Sequence, residues 1–594
     1  MMMKIMTFIL MLAALIVLPI LLVAGGVSAV ETAVAAPSAL PQVLCNRLYL
    51  PTIINGAAVG GTAVHPADLI TPPGLDMRSA ECAGFPDFNG DGYADLVIGA
   101  PRKGNFDTGI VQVVYGAATG LNAGDGAVID DQVWHRQLGG VAPETDDWYG
   151  AAVAMGDFNR DGYDDLAVGI PGATIGGLVG AGAVQIIYGS AAGLTNDGIQ
   201  EWSQANSGIS GDPELNANFG AALTSGDFDG DGYADLAIGA HQANVNGDTY
   251  AGAVHVLYGR SSGLGALGSE LITQDTPGFV ASPAEPFDYF GWALAAGDFN
   301  GDGVDDLAVG TPFEDNGVGY ADAGSVQIFF GKSGNTIGNS GLLILGAVVN
   351  PQHWRADSAN VEGLMEENDR FGFALAVGDF DGDGYDDLAV GIPYETHGEG
   401  AGALAFGGAV NVIMGSANGL EATPANPGRL WHQDLAGMNG DVDTLDRFGW
   451  ALAAADFDND GYADLAIGVP GDDYILGIVD TGSTQIVYGS DAGLTTTGNT
   501  LHFHASQPTA GDLFGAALFA ADFNGDGNAD LAVGAPNDAP TAANGGSVFT
   551  FYSNATIGLL QMESQTWYPG FNGLTGTAVA ADYFGEALPG SPRR

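Results

Sequence analysis

Seven times along the chain, oxygen-bearing side chains recur at alternate positions of a nine-residue segment, in the pattern Asp-x-Asp/Asn-x-Asp-Gly-x-x-Asp. The first copy supplies Asp87, Asn89, Asp91 and Asp95, with the backbone carbonyl of Tyr93 at position seven. The second has Asp157, Asn159, Asp161 and Asp165 with Tyr163, and the third Asp227, Asp229, Asp231 and Asp235 with Tyr233. The fourth has Asp298, Asn300, Asp302 and Asp306 with Val304, and the fifth Asp379, Asp381, Asp383 and Asp387 with Tyr385. The last two have Asp456, Asp458, Asp460 and Asp464 with Tyr462, then Asp522, Asn524, Asp526 and Asp530 with Asn528.

Oxygen donors converging within a dozen residues suit a hard cation, and the Gly at position six permits the sharp turn that gathers them. Calcium is the expected ion, up to seven per chain, with affinity of about 10⁻⁴–10⁻³ M per site as in extracellular modules. Magnesium keeps its waters and wants fewer protein oxygens. No His or Cys stands at these positions, which disfavours zinc and copper. Asp, Asn and Gly also favour turns for backbone reasons alone. Against a run of empty turns, two carboxylates about 4 Å apart repel by roughly 4 kcal/mol at an effective dielectric near 20. Each loop holds three or four acids, so an uncompensated loop tends to open.

The loops must be held by a repeated element, because successive copies lie 66 to 81 residues apart. An aromatic-Gly pair precedes six of them, at Tyr149-Gly150, Phe219-Gly220, Phe290-Gly291, Phe371-Gly372, Phe448-Gly449 and Phe514-Gly515. A short apolar run of the DLAVG type follows each loop, then a run of β-type composition such as GAVQIIYG at 182–189. Units close on Trp-bearing segments around Trp134, Trp202, Trp354, Trp431 and Trp567. Four short Gly-punctuated strands per unit is the sequence form of a propeller blade, so the expected fold is all-β. The Phe-Gly pairs are expected to pack between blades. The Trp rings can stack on sugars, but their fixed place in the repeat favours a structural role.

The order Phe-Gly, acidic loop, Gly-Ala-Pro resembles the FG-GAP repeat of integrin α-subunit heads and of related bacterial secreted proteins. It covers about 75 to 588. The resemblance implies a seven-bladed β-propeller with calcium in the hairpin between the first two strands of each blade. Two departures stand out: Ser79-Ala80 replaces Phe-Gly before the first loop, and Gly-Ala-His at 239–241 replaces Gly-Ala-Pro. The tail carries a spare pair, Phe584-Gly585, within DYFGEAL at 582–588, with no acidic loop after it. It reads either as a truncated eighth repeat or, as favoured here, as the closing strand of the ring, paired beside the strand leading to Asp87.

Composition bounds the partners and the location. The formal net charge is −56, which makes nucleic acid a poor partner. Residues 1–29 read as a signal peptide, with Lys4, an apolar run at 5–24 and a Val27-Ser28-Ala29 cleavage site. An uncleaved anchor is the alternative, since twenty-odd apolar residues can span a bilayer. Residues 30–66 read as a linker, 67–588 as the propeller and 589–594 as a tail. The expected location is extracellular, without membrane insertion after cleavage. Cys45 and Cys82 can pair in an oxidising compartment if the distance allows.

The expected function is a non-catalytic, calcium-binding adhesion or interaction scaffold for a protein or glycan of a cell surface or matrix; a calcium-dependent lectin is the alternative. Only residues 30–66 fall outside the signal, repeats and tail, and no G-x-S-x-G or H-E-x-x-H motif occurs, so an enzyme is not expected. The nine His show no ligand spacing and receive no assignment.

Overall fold

The computed structural model describes residues 86–590 except 105, 125–128, 277–282, 317–319, 334–340, 343–350, 399–403, 474–477, 505–507, 555–557 and 560–564, together with the paired strands Ile53–Ile54 and Ala57–Ala58. The segment 1–29 expected to be a signal peptide, Ser79-Ala80 and both cysteines lie outside the described residues.

In each blade the run after the acidic loop is buried on both faces. Asp165–Ile170, Asp235–Ala240 and Asp306–Thr311 are buried at every position, and so are the third strands Ala183–Tyr188 and Ala253–Tyr258. Neighbouring blades cover both sides of these middle strands, so their apolar pattern is continuous instead of alternating. The outer strand Thr195–Trp202 is mixed and partly exposed, as an edge should be. Blade three shows the order: Ala222–Gly226, Asp235–Ala240, Ala253–Tyr258 and Gly265–Ile272, antiparallel throughout, with Ala222 opposite Gly239 and Val254 opposite Ile272. Six such four-stranded sheets and one three-stranded sheet make the seven blades of a β-propeller.

The Trp segments end the outer strands, with Trp134, Trp202, Trp354, Trp431 and Trp567 facing Val111, Val184, Val326, Val410 and Val548. The aromatic rings of the Phe-Gly pairs are fully buried, and a parallel bridge joins Phe219 to Gly182 of the preceding blade, a contact repeated at Phe290–Gly252 and Phe371–Gly324. Packing between blades is therefore what these pairs do. Innermost strands are rich in Ala because they crowd toward the axis. Val153, Leu223, Trp292, Ala374 and Leu588, from five blades, line one central space.

The three-stranded sheet is blade one: Leu96–Ala100, Ile110–Val114 and Gln132–Trp134. The tail completes it. The Gly99 amide donates to the Ala587 carbonyl at 2.8 Å, and the Gly585 amide donates to the Gly99 carbonyl at 3.1 Å. The second bond is the same one that Gly220 makes to Gly239 in blade three. One detail differs from expectation: the tail lies beside Leu96–Ala100, the strand leaving the acidic loop, not beside the one leading into it. In every other blade the first strand pairs with the second, and the tail takes that first-strand place.

Candidate metal centres

Each acidic loop is built by its own carboxylates before any ion is considered. The position-one carboxylate accepts two amides, as Asp87 does from Asp91 at 3.1 Å and Gly92 at 2.8 Å, and all seven loops repeat this pair. Position five accepts the amide of position seven in every loop, as Asp302 does from Val304. The position-six Gly sits at positive φ throughout, from 83° at Gly303 to 94° at Gly461, a conformation that a side chain would strain. The expected sharp turn is present.

Position nine does more than the sequence suggests. Asp387 is fully buried; its Oδ2 accepts the Phe380 amide at 2.8 Å and its Oδ1 the Gly415 amide at 2.7 Å. Asp95, Asp165, Asp235, Asp306, Asp464 and Asp530 make the same two bonds, clamping the loop to the turn after the third strand. Burial, reinforced by the other loop acids, pushes Asp165 and Asp306 up to about 9 and Asp387, Asp464 and Asp530 up to about 8. A nearby cation would reverse that push.

Three loops bring three carboxylates together, with one oxygen of each within 4.8 Å of the others. These are Asp227, Asp229 and Asp235; Asp379, Asp381 and Asp387; and Asp456, Asp458 and Asp460. Position five joins the group only in the sixth loop. The loops with Asn at position three, those of Asn89, Asn159, Asn300 and Asn524, offer one acid fewer and form no such all-acid trio. At position three, Asn159 Oδ1 and Asp458 Oδ1 are buried without a hydrogen-bond donor. Convergent oxygens with lone pairs to spare fit a hard divalent cation.

Two further roles were not read from the sequence. The amide at position eight donates to the position-one carbonyl of the preceding blade's loop, as Asp164 does to Asp87 at 3.2 Å and Ala463 to Asp379 at 2.9 Å. Where position eight is acidic, its carboxylate also accepts the position-one amide: Asp164 from Asp87 at 2.9 Å, Asp305 from Asp227 at 2.7 Å, Asp386 from Asp298 at 2.8 Å. The Asp-Asp doublets at 164–165, 305–306 and 386–387 were the available signal. The position-seven rings of Tyr93, Tyr385 and Tyr462 lie against Gly525, Gly301 and Gly382 of the preceding loops.

Fold and loops together define a closed β-propeller of seven acidic-loop repeats. The FG-GAP repeat family model matches residues 83–114, 149–187, 219–257, 290–329, 371–406, 448–488 and 514–551, and the chain is an FG-GAP repeat protein resembling the integrin α propeller. A phosphatidylinositol-glycan-specific phospholipase D of Bos taurus is 37% identical over 168 residues, covering 28% of this chain and 19% of the relative. Integrin alpha-IIb of Homo sapiens is 29% identical over 321 residues, covering 52% of this chain and 25% of the relative. The chain thus spans a quarter or less of the length of these relatives. A periplasmic gluconolactonase structure from Pseudomonas aeruginosa aligns with a TM-score of 0.38 at 14% identity, over 80% of this chain and 96% of that one.

The expectation that the chain is not an enzyme is corrected by these relatives. Repeats 37% identical to its own occur in a phospholipase D, so a chain of such repeats gives no ground for excluding catalysis. Among the described residues, no helix is long and apolar enough to cross a membrane.

Proposed function

We propose that the chain is an extracellular, calcium-loaded interaction module that binds a protein partner on a cell surface or matrix. Calcium would be held by the loop carboxylates at positions one, three, five and nine with the position-seven carbonyl, and it would supply the positive charge those buried acids lack. The observation supporting an interaction role lies at the other end of the blades, where the second-to-third and fourth-to-first connections emerge. There, blades three to six carry a continuous aromatic and Arg network. Trp292 meets Phe313 at 5.3 Å and Phe373 at 5.6 Å between ring centroids, and Phe373 meets Trp450 at 4.8 Å. Arg370 lies over Tyr394 at 4.1 Å and over Phe313 at 4.6 Å. Phe287, 52% exposed, extends this network through Tyr289. Aromatic and Arg side chains are the residues that anchor protein interfaces.

The test is adhesion of cells to surfaces coated with the full chain, with calcium or chelator, alongside a glycan array. Calcium-dependent adhesion lost in a Phe287→Ser, Arg370→Ala double variant supports the reading. Adhesion unchanged by that variant overturns it, and a calcium-dependent array signal that free sugar competes away favours a lectin.

A further inference from the structure

The same end of the propeller carries a second repeated set of buried groups, one per blade junction. Three positions meet: the residue two beyond the end of the outer strand, the residue two before the aromatic-Gly pair, and the residue two beyond the Pro that ends the second strand. Between blades seven and one these include Asp582 and Lys103, whose Nζ is 2.6 Å from Asp582 Oδ2. Between blades one and two, Arg136 Nη1 is 2.9 Å from Asp147 Oδ1, and its other branch reaches Glu201 at 2.8 Å. Between blades two and three both acids are replaced, by the buried Ala217 and Ala243. At the next three junctions two buried acids meet, Asp288 with Glu314, Asp369 with Glu395 and Asp446 with Asp472.

The junction of blades six and seven adds an imidazole to such a pair. It brings together His504, Asp512 and Asp538, none more than 5% exposed, and no Lys or Arg pairs with either acid among the described residues. One ligand atom of each lies within 4.8 Å of the other two, and His504 Nδ1 is 3.7 Å from Asp512 Oδ2. The imidazole is held by packing on Phe549, with ring centroids 4.4 Å apart. Asp512 is oriented by the Thr509 amide and hydroxyl, each at 2.5 Å, and Asp538 by the Ala539 amide at 2.7 Å.

We propose that His504, Asp512 and Asp538 bind one divalent transition-metal ion of the zinc class, in a site chemically distinct from the loops. One imidazole nitrogen and two carboxylate oxygens form a borderline donor set, whereas the loops offer oxygen alone. Tetrahedral zinc with bonds of about 2 Å holds its ligand atoms roughly 3.3 Å apart, so the trio needs only a small closure. The chain's order does not announce this, because the three residues come from two blades.

The test uses the full chain saturated with calcium, titrated with Co²⁺ and followed by visible absorption. The expected result is about one Co²⁺ per chain, with d–d bands that Zn²⁺ abolishes by displacement. His504→Gln and Asp538→Asn should each lose the bands while calcium stoichiometry holds; should His504→Gln not fold, Asp538→Asn decides. Absence of the bands in the wild type, or bands indifferent to these variants, overturns the site.

Discussion

The amide of Ala94 donates to the carbonyl of Asp522 at 3.1 Å, so the acidic loop of the first blade is bonded to that of the seventh. Six equivalent bonds join the other loops in turn, and the seven loops form one uninterrupted ring. An ion that tightens one loop therefore stiffens its neighbours.

Calcium should raise the melting temperature strongly. A ligand bound only by the native state stabilises by mass action, and at a Kd of about 10⁻⁴–10⁻³ M millimolar calcium adds about 0.4–1.4 kcal/mol per site, summed over up to seven sites. Melting curves in millimolar calcium and in chelator check this; superimposable curves refute it.

Substitutions within one loop should separate by position. Asp381→Ala removes a donor that accepts only the Asp383 amide, at 3.1 Å, so calorimetric stoichiometry should fall by about one site with little change of melting in chelator. Asp387→Ala also strands the amides of Phe380 and Gly415, at about 1–3 kcal/mol each. Its melting temperature should fall in chelator too, by more than that of Asp381→Ala. Equal melting of the two variants in chelator would contradict the clamp.

Deleting 578–594 should lower the melting temperature and cause self-association, because it bares the edge of Leu96–Ala100. The deletion also removes Asp582 and Glu586, the partners of Lys103 and Arg102. Gly585→Val should act in the same direction, since Gly585 sits at φ 80° and a Cβ there would come within 2.6 Å of Val548. Monomeric truncated protein melting with the full chain would count against the closure.

Alkaline pH should weaken the calcium-free protein through Glu395. Burial, with the charges of Asp369 and Glu366, pushes this carboxyl from 4.5 up to about 9. The folded chain thus keeps a proton that the unfolded chain releases, so the contribution is complete below the unfolded value and is lost as pH rises through about 9. Glu395→Gln should flatten the decline of melting temperature in chelator between roughly pH 6 and 9. Parallel curves for the two proteins would exclude Glu395 as the source.

Much of this architecture is legible in the chain because a blade is local: Asp227, Gly232 and Asp235 fall within one loop, and the strands they join follow directly. What escaped reading depends on contacts between blades. Asp164 looks like the neighbour of a loop acid, yet its partner Asp87 belongs to the preceding blade. His504 shows no acidic partner in its own segment until Asp512 and Asp538 are folded against it. The register of the tail escaped for the same reason. Phe584-Gly585 announced a closing strand, but the choice between the two sides of the first loop rests on Gly99.

The bond between Gly99 and Ala587 also sets a schedule. A chain made from its N-terminus presents Leu96–Ala100 almost at once, while the strand that covers it arrives only after six further blades. Through that interval the nascent molecule is an open arc with an unpaired apolar edge, the condition in which folding intermediates aggregate. Chaperone demand during synthesis should therefore track the time taken to produce residues 582–588.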